Sequence, residues 1–143
     1  MEISRMTQDD LTQLKDTLLK DFDDFWSYTC LQEELQNPNS TYFVARIGSQ
    51  IVGFAGIWQA VDDIHITNIV VKKDFRQTGI GSKLLETLIQ TAKSTSMQSL
   101  TLEVNCNNTP AIGLYKKYGF SVMRHTKKIL SWHRRCLYHD FIF

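Results

Sequence analysis

The sequence predicts a mixed α/β fold, an α+β arrangement of helices on one sheet, with residues 1–143 forming a single domain. Three observations lead there. Strand-type and helix-type hydrophobic periodicities follow one another in the order β-α-α-β-β-β-α-β-α-β-β. The strand around Ile69 runs through a helix to the strand around Leu102, a crossover that makes these strands parallel, with a right-handed connection, if they pair. The strands flanking Gly48-Ser49 are joined by a hairpin-type turn and are therefore antiparallel, so the sheet is mixed. A chain of 143 residues is long enough to bury a core around such a sheet.

Each element has a local reason. Glu2 to Met6 reads as a short strand, and Thr7 caps the helix after it, with Asp9 and Asp10 well placed in the first turn. Leu11, Leu14, Leu18 and Phe22 then recur at helical spacing. A second short helix covers Tyr28 to Gln36 and ends at the turn-forming NPNS. TYFVARIGSQIVGFAGIWQA supplies the hairpin, and IHITNIVV a third, nearly apolar strand. Ile80, Leu84, Leu85, Leu88, Ile89 and Ala92 form one apolar helical face opposite Lys83, Glu86, Thr87 and Lys93. SLTLEVN is a strand, and TPAIGLYKKYGF a short helix with Pro110 at its start and Gly119 just past its end. FSVMRHTKKIL and RCLYHDFIF close the sheet as two last strands.

Composition narrows the function classes. Apolar residues at 43% and charged residues at 22% argue against disorder, and a net charge of +1 gives no general attraction to nucleic acid. The charges are uneven: Asp9-Asp10, Asp23-Asp24 and Glu33-Glu34 lie in front, whereas residues 124–139 are rich in Arg and Lys. That pattern fits either a polarised surface that draws a cationic acceptor or two solvated faces. Cys30, Cys106 and Cys136 are too few and too scattered for a disulfide framework and suit a reducing compartment. MEISRMTQDD lacks a signal-peptide pattern, and no apolar run approaches the roughly 18 residues of a membrane helix. The expectation is a soluble, cytoplasmic protein without a membrane or direct nucleic-acid partner. His133 and Cys136 have no second pair to complete a zinc site, so no metal is expected.

VVKKDFRQTGIGSKLLETLIQ, from Val70 to Gln90, carries the first chemical signal. A helix N-terminus presents unpaired N–H groups and partial positive charge, which attract anions. Gly79 and Gly81 allow close backbone approach, and Arg76 adds a fork of charged donors suited to phosphate. The spacing is neither that of a Walker loop nor of a dinucleotide fingerprint. On these residues alone the turn is an anion cradle, or a strand-to-helix turn that uses glycine for geometry.

Arg76-Gln77-Thr78-Gly79-Ile80-Gly81, between a strand and an amphipathic helix, resembles the Gln/Arg-x-x-Gly-x-Gly/Ala motif of the GCN5-related N-acetyltransferases. The element order resembles that family's fold over essentially the whole chain. The resemblance implies acetyl-coenzyme A as cosubstrate, its pyrophosphate held by the turn from Arg76 to Gly81 and on to Ser82. It also implies that Ile69, Val70 and Val71 offer backbone groups to the pantetheine arm.

LTLEVNCNNTPAIGLYKKYGF carries the second signal. Alternation puts Leu100, Leu102 and Val104 on one strand face and Thr101, Glu103 and Asn105 on the other. Glu103 is a candidate base if the strand borders a cleft, and otherwise a surface carboxylate. Tyr115, on the next helix, is a candidate proton donor to a departing thiolate, or a core aromatic grouped with Ala111 and Tyr118. Cys106 is a nearby thiol with no histidine base beside it in sequence. The stretch resembles a narrower group, the bacterial RimI-type enzymes, which acetylate the N-terminal alanine of a ribosomal protein. In that group a strand glutamate is the base and a helix tyrosine the acid, matching Glu103 and Tyr115, and Asn108 matches a coenzyme contact. FWSYTCL, from Phe25 and Trp26, resembles the group's loop beside the acceptor groove. ITNIVV matches the group's strand before the turn, with Asn68 where other acetyltransferases often carry a glutamate. The chain departs from the pattern at KKILSWHRRCLYHD, shorter and more basic than the family's usual tyrosine-containing connection.

The expected activity is therefore acetyl transfer from acetyl-coenzyme A to an amine. A protein N-terminal α-amine, with a ribosomal protein as the implied partner, comes first. The alternatives are a small-molecule amine, a lysine side chain, or a non-catalytic acyl-coenzyme A-binding module.

Overall fold

The structure is a computed structural model that describes residues 1–18, 28–59, 63–96, 99–104, 107–124, 129–130, 133–134 and 137–142. Strand β1 (Glu2–Arg5) leads into helix α1 (Gln8–Leu14) and helix α2 (Tyr28–Gln36). The hairpin strands β2 (Ser40–Ile47) and β3 (Gln50–Gln59) follow, then β4 (Asp63–Val71). Helix α3 (Ile80–Lys93) crosses to β5 (Ser99–Val104), and α4 (Thr109–Lys117) precedes β6 (Ser121–Arg124). Two-residue strands β7 (Ile129–Leu130) and β8 (His133–Arg134) pair with each other before β9 (Leu137–Ile142) ends the series. That small β7–β8 pair has no signature in the sequence, because two-residue strands carry no readable period.

Among the described residues, one sheet of seven strands runs β1-β2-β3-β4-β5-β9-β6. Among the described strands only β4 and β5 pair in parallel, as the crossover requires. Thr7 caps α1 through a reciprocal capping box with Asp10, whose carboxylate accepts from the Thr7 N–H at 2.9 Å. Gly48 takes up φ 62° at the hairpin, and Gly119 takes up φ 95° just beyond α4. Among the described residues no helix is long and apolar enough to cross a membrane.

The sheet carries a core on each face. On one side, α3 buries Ile80, Leu84, Leu85, Leu88, Ile89 and Ala92 against Ile64, Leu100, Leu102 and Val104, with Tyr115 and Phe120 joining them. On the other, Leu11, Leu14, Leu18 and Leu31 pack with Tyr42, Val44, Phe54 and Val70. Ile64 and Val70 are six apart and belong to the same face of a regular strand, yet they enter opposite cores. A bulge explains this. Gly56 pairs with Asn68 and Ile57 with Ile66, so Thr67 is an extra residue on β4. One inserted residue reverses the alternation beyond it.

Candidate active site

The bulge sits where the sheet opens. Strand β4 pairs with β3 over seven residue pairs but with β5 over only three, the last being His65 with Thr101. Beyond that point the two parallel strands part. The gap widens into a cleft of about 1220 Å³ that runs from the bulge to the start of α3.

At one end stands the glycine turn. Gly79 precedes α3 with φ 89°, a conformation that penalises any side chain. No side chain caps the helix and no acid lies in its first turn. The first intrahelical bond is donated by Lys83 to the Gly79 carbonyl at 3.1 Å, so helix geometry leaves the N–H groups of Ile80, Gly81 and Ser82 without intrahelical acceptors. Gly81 is different from Gly79: a methyl there meets Leu114 Cδ2 and Val71 Cγ2 at 3.8 Å, an ordinary contact. The protein's own packing does not require glycine at 81. Its bare backbone is what a bulky anion needs. Arg76 Nε donates to the Val71 carbonyl at 3.2 Å, holding the side chain along the end of β4. Thr78 turns its hydroxyl back to the Phe75 carbonyl and staples the turn, while Ile80 buries its side chain in the core. Neither residue lines the cleft. Arg76, Gln77, Gly79, Gly81 and Ser82 do line it, as do Ile69, Val70 and Val71.

At the other end the cleft is walled by Glu103, Tyr115, Asn107 and Asn108. Glu103 is exposed, on the β5 face opposite the buried Leu102 and Val104. Tyr115 belongs to the core on the α3 side, with its ring tilted against Phe120 at 5.7 Å between centroids. The two groups reach one cleft from opposite faces of the sheet. A continuous sheet would keep them apart; the parting of β4 and β5 brings them to a common space. Burial pushes the Tyr115 phenol up to about 12, because the phenolate is poorly solvated there. Asn108 caps α4, its Oδ1 accepting from the Ala111 N–H at 3.3 Å, and this fixes the helix that delivers Tyr115. Helix α4 is also tied to α3, where the Tyr118 hydroxyl donates to Glu86 at 2.6 Å.

Some site features were not read from the sequence. His65 bonds the Thr101 hydroxyl through Nδ1 at 2.6 Å, at the point of separation, and Trp58 stacks on its ring. Asn107 also lines the cleft. Same-face alternation of Thr101 with Glu103 was the available clue to His65, but only strand register identifies the partner. Phe25 and Trp26, read as acceptor-side residues, lie outside the described residues, as does Cys106. One member of the acidic front turns inward: Asp10 is buried, bonded to Thr7 and ion-paired with Arg46.

The chain therefore joins an uncapped helix N-terminus, fit for a diphosphate, to a narrow opening between strands, fit for an extended arm. Comparisons with known proteins agree. The model of the Acetyltransferase (GNAT) family matches residues 11–120. A Bacillus subtilis protein, provisionally a ribosomal protein bS18 alanine N-acetyltransferase, is 32% identical over 118 residues, covering 82% of this chain and 78% of its own length. The N-alpha-acetyltransferase RimI of Mycobacterium tuberculosis is 32% identical over 102 residues, covering 68% of this chain and 63% of its own. In fold, the ribosomal-protein-S18-alanine N-acetyltransferase of Escherichia coli superposes with a TM-score of 0.84 at 24% identity, covering 99% of this chain and 92% of the other. A Thermoplasma acidophilum N-acetyltransferase solved with coenzyme A gives 0.80 at 17% identity, covering 99% and 98%. The chain belongs to the GNAT family and is an N-acetyltransferase that draws its acetyl group from acetyl-coenzyme A.

Proposed function

We propose that this enzyme acetylates the N-terminal α-amine of a protein, with Glu103 as base and Tyr115 as acid. The observation that carries this reading is the shared cleft: Glu103 and Tyr115 face one opening from opposite sides of the sheet, and that opening runs to the start of α3. The choice of an α-amine is supported by relatives named N-alpha-acetyltransferases in Mycobacterium and Sulfurisphaera, beside the Bacillus relative named for the alanine of ribosomal protein bS18. The Bacillus name also makes a ribosomal protein N-terminus the first acceptor to test.

The turn from Arg76 to Ser82 holds the coenzyme's diphosphate, chiefly through the N–H groups of the first turn of α3 and the Arg76 guanidinium. Ile69, Val70 and Val71 offer main-chain groups along the parted edge of β4. Asn108 lies where it can give its amide nitrogen to the coenzyme while its oxygen caps α4. Bound coenzyme supplies the thioester that the amine attacks. Glu103, directly or through one water, takes a proton from the ammonium and makes the nitrogen nucleophilic. The C–N bond forms, the C–S bond breaks, and Tyr115 donates to the sulfur. With its phenol near 12, Tyr115 is a weaker acid than an alkyl thiol at about 8.5. It therefore acts first as a hydrogen-bond donor and passes its proton on as the acylated nitrogen releases its own, which restores the phenol.

The test offers purified protein acetyl-coenzyme A with free N-terminal peptides, N-blocked lysine peptides, polyamines and aminoglycosides. Thiol release and mass spectrometry locate the acetyl group. Addition to peptide α-amines is the expected result; labelling confined to lysines or small amines refutes the acceptor assignment.

A further inference from the structure

A polar cluster behind the cleft has no part in the chemistry above. Tyr42, on β2, is buried at 3% exposure and crosses β3 directly over Gly56, its register partner. A methyl at Gly56 would lie 2.3–2.5 Å from the Tyr42 ring carbons, so glycine there is what admits the ring. The phenol oxygen accepts from Asn68 Nδ2 at 2.8 Å and lies 2.9 Å from Thr67 Oγ1.

Thr67 and Asn68 are adjacent, and adjacent strand residues ordinarily point to opposite faces. Both reach one hydroxyl because Thr67 is the bulged residue, and the phenol in turn ties the bulge together. Asn68 is itself buried at 6% exposure, so its amide needs such a partner. The cluster has a direction. Either hydroxyl can donate across the Tyr42–Thr67 contact; with the phenol oxygen taken up by Asn68, the direction that satisfies the Tyr42 proton is toward Thr67 Oγ1, and in that arrangement the Thr67 proton is left for a partner in the cleft that Thr67 lines. Chained hydrogen bonds strengthen one another in a low-dielectric setting.

We propose that Tyr42 is a positioning residue for acetyl transfer, holding the β4 bulge at the mouth of the parted strands and turning the Thr67 hydroxyl toward bound substrate as a donor. The proposal rests on the transfer reading above, but part of its test does not. Tyr42→Phe keeps the ring over Gly56 and removes only the hydroxyl. The expected outcome is a kcat at least about fivefold lower per folded molecule, with coenzyme A affinity by calorimetry within about twofold, because the glycine turn is untouched. Thr67→Val loses a similar factor, and Thr67→Ser regains most of it. The double variant Tyr42→Phe/Thr67→Val is no worse than the poorer single variant, since both cut one chain.

Equal kcat in Tyr42→Phe and wild type overturns the proposal, as does a double variant in which the two losses multiply. A fall in melting temperature with unchanged kcat assigns Tyr42 to stability alone and also overturns it. Backbone amide NMR supplies the readout without activity: Tyr42→Phe shifts the Thr67, Asn68 and Ile69 resonances and leaves residues 84–92 in place. If wild-type protein acetylates no amine, the transfer reading fails, while these shifts still decide whether Tyr42 holds the bulge; unmoved resonances refute that hold.

Discussion

The two ends of the cleft are built on different principles. The glycine turn is local: Arg76, Gly79, Gly81 and the first turn of α3 are neighbours in the chain, and their conformations follow from residue type. The acyl end is assembled from afar. Glu103 comes from one face of β5, Tyr115 from a helix packed on the other, and the opening between them exists because β4 leaves β5 after three pairs. Coenzyme binding and chemistry should therefore be separable by substitution. The first is expected to depend on a turn made of chain neighbours, the second on a strand register.

The sharpest separation comes from Glu103→Gln. Turnover should fall at least about tenfold, within the ~10²–10⁴-fold typical of a positioned acid or base, with calorimetric coenzyme A affinity preserved. Tyr115→Phe should cost at least about tenfold in turnover, again without loss of binding. Unchanged turnover in both variants removes these residues from the chemistry and breaks the comparison at its acyl end.

Tyr115 also gives a stability signature. Its phenol is raised from the usual 10.0 to about 12 in the folded protein, so the folded state holds this proton more tightly than the unfolded chain. The associated stability is intact below pH 10 and is lost as pH rises from 10 toward 12, by about 2–3 kcal/mol. Denaturant melts at pH 9 and near pH 12 should show that loss in wild type and a correspondingly smaller one in Tyr115→Phe. The same shift predicts no alkaline fall in turnover from Tyr115 below pH 10.

The two glycines of the turn sharpen the other end. Gly79→Ala forces a side chain into φ 89° and should cost about 1–2 kcal/mol of stability. Gly81→Ala has helical geometry and room, so its melting temperature should match or slightly exceed wild type, while coenzyme A affinity drops severalfold. If Gly81→Ala binds coenzyme A normally, the bare backbone at 81 is not a ligand contact. The smallest effect is expected from Asn108→Ala, which loses the α4 cap at about 1 kcal/mol, read as a lower melting temperature.

Much of this protein was legible before any coordinates, and the reason is locality. Thr7 with Asp10, Pro110 with Gly119, Gly48 at the hairpin and the apolar face of α3 are each decided within a few residues, and each stands where the sequence places it. The family motif around Gly79 belongs with them. The β7–β8 pair was not legible, nor was the insertion of β9 between β5 and β6, because strand order depends on contacts with distant segments. That Asp10 turns inward was not legible for the same reason, since its ion-pair partner Arg46 is far along the chain.

The amino-acid sequence by itself determined the elements, their order, the glycine turn before α3 and the residue types available for proton transfer. These follow from backbone preference, capping and hydrophobic period, all short-range. The tertiary structure alone decided that Thr67 is bulged, that Ile64 and Val70 enter opposite cores, and that Glu103 and Tyr115 share one opening. Strand register is a property of pairs of strands, and a single inserted residue redirects every side chain beyond it.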